Sequence, residues 1–158
     1  MNLIDLIGKL PQHKTKRYKT RPLSAIASVA IHHSATKTGT PKAFATYHVN
    51  TKGWPGIAYA YCIGKGGQVY KCNPISAITY HVGDSNREAI GICLVGDFDH
   101  EKPGAVQLAA AAELVRLVIS TFPKGLDLKR HHDYEGYGWK SCPGAFFPWE
   151  EFRKMCGK

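Results

Sequence analysis

The stretch Ala89-Ile-Gly-Ile-Cys-Leu-Val-Gly96 constrains this chain most: eight residues carry no charge and almost no polarity. A run of that length and composition reads as a strand covered on both faces. Such a strand needs layers above and below it, so the rest of the chain must supply helices. The longest candidate is Ala105 to Phe122, where Leu108, Ala111, Ala112, Val115 and Ile119 form one stripe and Pro123 and Gly125 end the helix. Thr40-Pro41 opens another, with a capping hydroxyl and a first-turn proline, and Phe44, Tyr47 and His48 are predicted to face inward. A last helix is predicted from Pro148 to about Met155, with Trp149, Phe152 and Met155 on one side. Further strands are expected at Ser28–Ser34 and Leu126–Arg130. A hairpin is expected to pair Ile57–Ile63 with Gln68–Cys72 around Gly64-Lys-Gly-Gly67. The 158 residues suit one domain. The fold class is therefore α/β, a single domain with a central mixed β-sheet flanked by helices.

Within that domain, residues 1–24 stand apart as a basic segment ahead of a main body at 25–158. The spacing of Leu3, Ile4, Leu6, Ile7 and Leu10 predicts a short helix that docks on the body. Between Leu6 and Gly83 there is no Asp or Glu but eleven Lys or Arg. With Asp5 the first 83 residues carry +10, while ten basic against eleven acidic residues leave the remainder at −1. A field so one-sided favours a polyanion, whether nucleic acid, anionic membrane or acidic wall polymer; a merely solvated basic arm is the plainer alternative. No apolar run approaches the ~20 residues of a membrane helix, so no membrane insertion is expected. Asp5 precedes a short apolar patch and the basic cluster follows it, the reverse of a secretory leader, so no export signal is read.

Five cysteines, an odd number, do not read as a disulfide framework. Cys62, Cys72 and Cys93 fall in apolar surroundings and are expected to be buried, inert thiols. Cys142 differs, lying in a polar Gly/Pro-rich loop. Four of the eight histidines form two adjacent pairs, His32-His33 and His131-His132. On a strand, neighbouring side chains point to opposite faces, so one member of each pair can face a site and the other must be satisfied elsewhere. Two imidazoles and the Cys142 thiolate would make three ligands for Zn²⁺ and leave a fourth position open, as in a catalytic site. Ordinary core and surface histidines would account for the same residues. With no acid before Asp84 apart from Asp5, a carboxylate base would have to come from Asp84 or later, or the site must work without one, with Tyr59 and Lys140 as candidate polar groups in its place.

The order of motifs adds a resemblance. Ile31-His-His-Ser-Ala-Thr36, Tyr47-His-Val-Asn50 with Gly53-Trp54, and Ile57-Ala-Tyr-Ala-Tyr61 with Gly66-Gly-Gln-Val-Tyr70 come first. Tyr80-His-Val-Gly83, Ala89-Ile-Gly-Ile92 with Gly96-Asp-Phe98, and His131-His-Asp133 through Lys140-Ser-Cys-Pro-Gly144 follow. In that order they resemble the zinc N-acetylmuramoyl-L-alanine amidases related to phage lysozymes and animal peptidoglycan recognition proteins. The resemblance implies Zn²⁺ held by His32, His131 and Cys142, with Tyr59 and Lys140 catalytic and His81, Trp54 and Asn86 binding substrate. It implies hydrolysis of the amide between N-acetylmuramic acid and L-alanine in peptidoglycan, the enzyme reaching the wall after release from the cytoplasm. Acidic wall polymers are a further expected partner, nucleic acid is not, and a monomer is expected. A peptidoglycan-binding module that does not cut is the alternative, and a basic nucleic-acid-binding protein a more distant one. Three departures stand out: Glu135-Gly-Tyr-Gly-Trp139 lengthens the path from His131 to Cys142, Cys93 stands where recycling-type amidases carry a glutamate, and Ala60 replaces a polar residue often found after the active-site tyrosine.

Overall fold

The computed structural model describes residues 1–158. The elements run β1 (Asn2–Asp5), β2 (Ser28–His33), α1 (Pro41–Asn50), β3 (Tyr61–Ile63) and β4 (Gln68–Lys71), then β5 (Ala89–Leu94), α2 (Ala105–Ser120), β6 (Asp127–Arg130) and α3 (Trp149–Met155). Six strands form one sheet in the order β1-β4-β3-β5-β2-β6. Only the β3–β4 hairpin is antiparallel; every other pairing is parallel, so the sheet is mixed as expected.

The sheet's two faces differ in residue size. Val29, Ile31, Ile90, Ile92 and Leu94 point towards α2 and α3, where they pack with Leu108, Val115 and Phe152. The opposite face carries small side chains: Ala30 and Ala89 under Val82 and Tyr134, and Cys62 and Cys93 under Ala45 of α1. Large residues build the core against the helices, and small ones leave room above the other face. Gln107, fully buried in α2, fastens that helix by donating to Ile63 O at 3.1 Å and Val95 O at 2.8 Å.

Helix α1 begins as expected, with Thr40 Oγ1 accepting from Ala43 N at 3.2 Å. Its inward face is the predicted one except at Tyr47. Pro41 and Ala45 are buried, Phe44 and His48 are half-buried, and Tyr47 is 51% exposed. The helix packs through Pro41, Ala45 and the side of Phe44, which leaves Tyr47 out over the neighbouring groove.

The N-terminal segment also departs from expectation. Residues 2–5 form a parallel edge strand on β4, with Leu3 opposite Val69, and not a helix. Intrinsic helical spacing loses here to an open sheet edge that offers a full row of hydrogen-bonding partners. The basic stretch that follows is fixed to the body: Tyr18 Oη donates to Gly56 O at 2.8 Å and Lys16 Nζ to Gly53 O at 2.7 Å. Arg21 is buried, its guanidinium donating to Asn86 O at 2.6 Å and Ile75 O at 3.0 Å. No helix is long and apolar enough to cross a membrane.

Candidate metal centre

The carboxyl ends of β2 and β6 lie side by side, and both histidine pairs sit there. Open parallel sheets place their ligand sites at such strand ends. His32 turns to the small-residue face, whereas His33 turns to the other, its Nδ1 accepting from Phe98 N at 3.0 Å. The His131-His132 pair does not lie on the strand: it forms a single 3-10 turn just after β6, closed by Asp133, which accepts from Arg130 N at 2.9 Å. Cys142 arrives on the loop leading to α3. His132 N donates to Cys142 O at 3.2 Å, joining loop to turn. Asp99 holds the same loop from the far side, accepting from Ser141 Oγ at 2.6 Å and Ala145 N at 2.9 Å. Gly144 runs so close to Phe98 that a Cβ there would sit 2.4 Å from a backbone carbon.

These supports bring three predicted ligands together. His32 Nδ1 lies 3.1 Å from His131 Nδ1 and 3.8 Å from Cys142 Sγ. All three ligating atoms fall within 4.8 Å of one another. The other nitrogen of His32, Nε2, lies 2.9 Å from His81 Nδ1, while His131 Nε2 is buried without a hydrogen-bond partner. Tyr137 packs on the His131 ring at 4.5 Å between centroids.

Burial dominates the electrostatics. It pushes His32 well below the ordinary imidazole range, His131 down to about 4 and His81 to about 3. The three rings are therefore neutral near pH 7, the state in which an imidazole can ligate. Burial also drives the Cys142 thiol up to about 12 and Tyr59 well above the usual phenol value. Ligation by Cys142 thus requires loss of a proton that the apolar surroundings alone would retain.

Two recesses flank this cluster. One, of about 450 Å³, is bounded by Ser34, Thr36, Phe44, Tyr47, His48 and Tyr59. The other, of about 240 Å³, is bounded by Trp54, His81, Asn86, Tyr137 and Lys140 beside His131. Neither includes a carboxylate. Tyr59 lies with its ring 5.3 Å from that of His32, and Lys140 Nζ sits 4.6 Å above the Trp139 ring.

A family model described as N-acetylmuramoyl-L-alanine amidase matches residues 22–145. The chain belongs to that amidase family. Among solved structures, the Ph2119 endolysin from Thermus scotoductus MAT2119 bacteriophage Ph2119 is 26% identical, covers 99% of this chain and all of its own, and superposes with a TM-score of 0.83. The N-acetylmuramoyl-L-alanine amidase LysC from Clostridium intestinale URNW is also 26% identical, over 99% of this chain and 98% of its own, with a TM-score of 0.79. Peptidoglycan-recognition protein SC2 of Drosophila simulans is 28% identical over 145 residues, which are 85% of this chain and 77% of that protein. The amidase family thus joins endolysins and recognition proteins on one fold.

The amidase site's donor set fits zinc. Two nitrogens of a tetrahedral zinc centre stand about 3.3 Å apart, and a nitrogen and a sulfur about 3.6 Å apart. The separations of 3.1 and 3.8 Å lie close to those edges. Two substrate-site expectations change character. His81 is buried, with only 8% exposure, and stands behind His32. Asn86 Oδ1 is spent on the backbone, accepting from His81 N at 2.9 Å and Val82 N at 2.7 Å. Sequence reasoning missed Asn73, which donates to Tyr59 O at 2.8 Å, and His48, whose Nδ1 accepts from Ala58 N at 3.1 Å. Asp99 was missed as well; His48 carried the signal of its inward helical spacing, whereas no residue pattern marks Asn73 or Asp99.

Proposed function

We propose that this amidase-family chain is a zinc enzyme that hydrolyses the amide between N-acetylmuramic acid and L-alanine in peptidoglycan. The observation that carries the reading is the convergence of His32, His131 and Cys142 within 4.8 Å of one another, with His32 Nδ1 3.1 Å from His131 Nδ1 and 3.8 Å from Cys142 Sγ. Bound there, Zn²⁺ supplies Lewis acidity that polarises an amide carbonyl and makes water a competent nucleophile near neutral pH.

The chain's own residues supply the rest. Neutral His32 and His131 with a Cys142 thiolate leave a centre of net +1. Tyr59, kept protonated by its surroundings, offers its hydroxyl as a hydrogen-bond donor beside His32. Lys140 sets a positive charge at the rim of the recess next to His131, where the carbonyl oxygen gains charge. Trp54 and Asn86 bound the same recess and receive the substrate. Basic residues of the first half draw the enzyme to acidic wall polymers.

Mass spectrometry of digested bacterial walls tests this. The expected products carry new free alanine amino groups. New reducing sugar ends, or no products at all from zinc-loaded protein, would refute the reading; binding to walls without products would leave a recognition module.

A further inference from the structure

His81 and His32 meet nitrogen to nitrogen in a buried site, and their surroundings decide which nitrogen bears which hydrogen. His81 Nε2 faces the backbone carbonyl of Ala89 at 3.3 Å. A carbonyl only accepts, so Nε2 carries the hydrogen. A neutral ring holds one, which leaves His81 Nδ1 bare. Its neighbour, 2.9 Å away, is His32 Nε2, which must therefore be the donor. His32 Nδ1 is then a lone pair, and that atom faces His131 Nδ1 and Cys142 Sγ. Reversing the order would set two bare acceptors against each other at Ala89 O and leave His32 Nδ1 blocked by hydrogen.

The seat of His81 is built to hold this order. Asn86 Oδ1 takes the backbone N–H groups of His81 and Val82, and Arg21 in turn holds the Asn86 carbonyl at 2.6 Å. The ring lies flat on β5 at Gly91, where a Cβ would stand 2.9 Å from ring atoms. His131 has no counterpart, since its Nε2 meets no partner. Only one of the two imidazoles is preset.

We infer that His81 is a positioning residue that fixes His32 in the Nε2–H tautomer and so presents Nδ1 to the metal. This rests on the zinc reading above, and the experiment separates the two. Zinc dissociation constants of the full chain are measured by chelator competition for the wild type, His81→Phe and His81→Asn. Phenylalanine fills the space but cannot accept; the asparagine Oδ1 can stand where Nδ1 stood. The expected result is zinc binding weakened about 10–100-fold in His81→Phe and largely restored in His81→Asn, with KM at saturating zinc unchanged. Equal zinc affinity in all three proteins, or a raised KM with unchanged affinity, would overturn the inference. Long-range ¹H–¹⁵N spectra of zinc-free wild type decide the matter even if both variants unfold: a hydrogen on His32 Nε2 is expected, and one on Nδ1 refutes the assignment. A wild type that binds no zinc would sink the metal reading while leaving the tautomer result standing.

Discussion

At the scale of single residues, the proposed function assigns some groups to the metal and others to the substrate, and substitution should separate them. His131→Ala removes a ligand from a buried cluster, so zinc and activity should be lost together. Lys140→Ala leaves all three ligands in place. It should keep full zinc content while its rate falls ~100–1,000-fold, the usual effect of losing one donor at a developing oxyanion. Metal analysis beside wall turbidity measures both, and a zinc-loaded His131→Ala protein would defeat the ligand assignment. His48 makes a separate prediction. Burial lowers it from 6.5 to about 4, and its Nδ1 must stay bare to accept from Ala58 N. A group whose folded value lies below its unfolded one favours folding above the unfolded value and loses that favour as pH falls. Urea midpoints of zinc-free protein should therefore drop between pH 6.5 and 4, and the drop should be shallower in His48→Gln.

At the scale of elements, the positions of the ligands depend on two tethers to the loop that carries Cys142. One is His132 N to Cys142 O; the other is the Asp99 carboxylate on Ser141 and Ala145. Cutting the second with Asp99→Ala should weaken zinc binding about 10-fold or more, while Asp99→Asn, which can still accept from Ala145 N, should lose less. Isothermal titration with zinc checks this. These elements also explain what the sequence reveals and what it hides. The three residues of the candidate metal cluster were legible because each occupies a distinctive local setting: a histidine pair on or beside a strand, and a cysteine in a polar loop. The apolar run Ala89–Leu94 was legible as a doubly covered strand, whereas which of its faces holds the site emerges only from the assembled sheet. Tyr47 has correct helical spacing, yet α1 packs through Ala45, and only the assembled sheet decides that. The contacts of His81 with His32 span 49 residues and those of Ser141 with Asp99 span 42, and no local pattern announces them.

At the scale of the whole molecule, charge and sheet architecture take over. Lys9 to Arg21 holds much of the positive excess, but it is not a free tail, because Lys16 and Arg21 spend their charges on backbone carbonyls. If, as proposed, the exposed remainder draws the enzyme to acidic wall polymers, lysis should weaken as ionic strength rises from about 0.05 to 0.3 M. A rate constant across that series would remove the role. The sheet has two ends of different kinds. The outer strand β6 reads Asp-Leu-Lys-Arg, and its charges deter strangers from joining. Strand β4 carries a single charge, Lys71, and β1 covers it residue for residue from Asn2 to Asp5. Four residues at the start of the chain therefore act as a stopper. Without them, β4 would offer a bare ribbon of peptide groups to the nearest extended segment, and a chain beginning at residue 9 should clump in proportion to its concentration, as light scattering would register, even with every zinc-binding atom still in place.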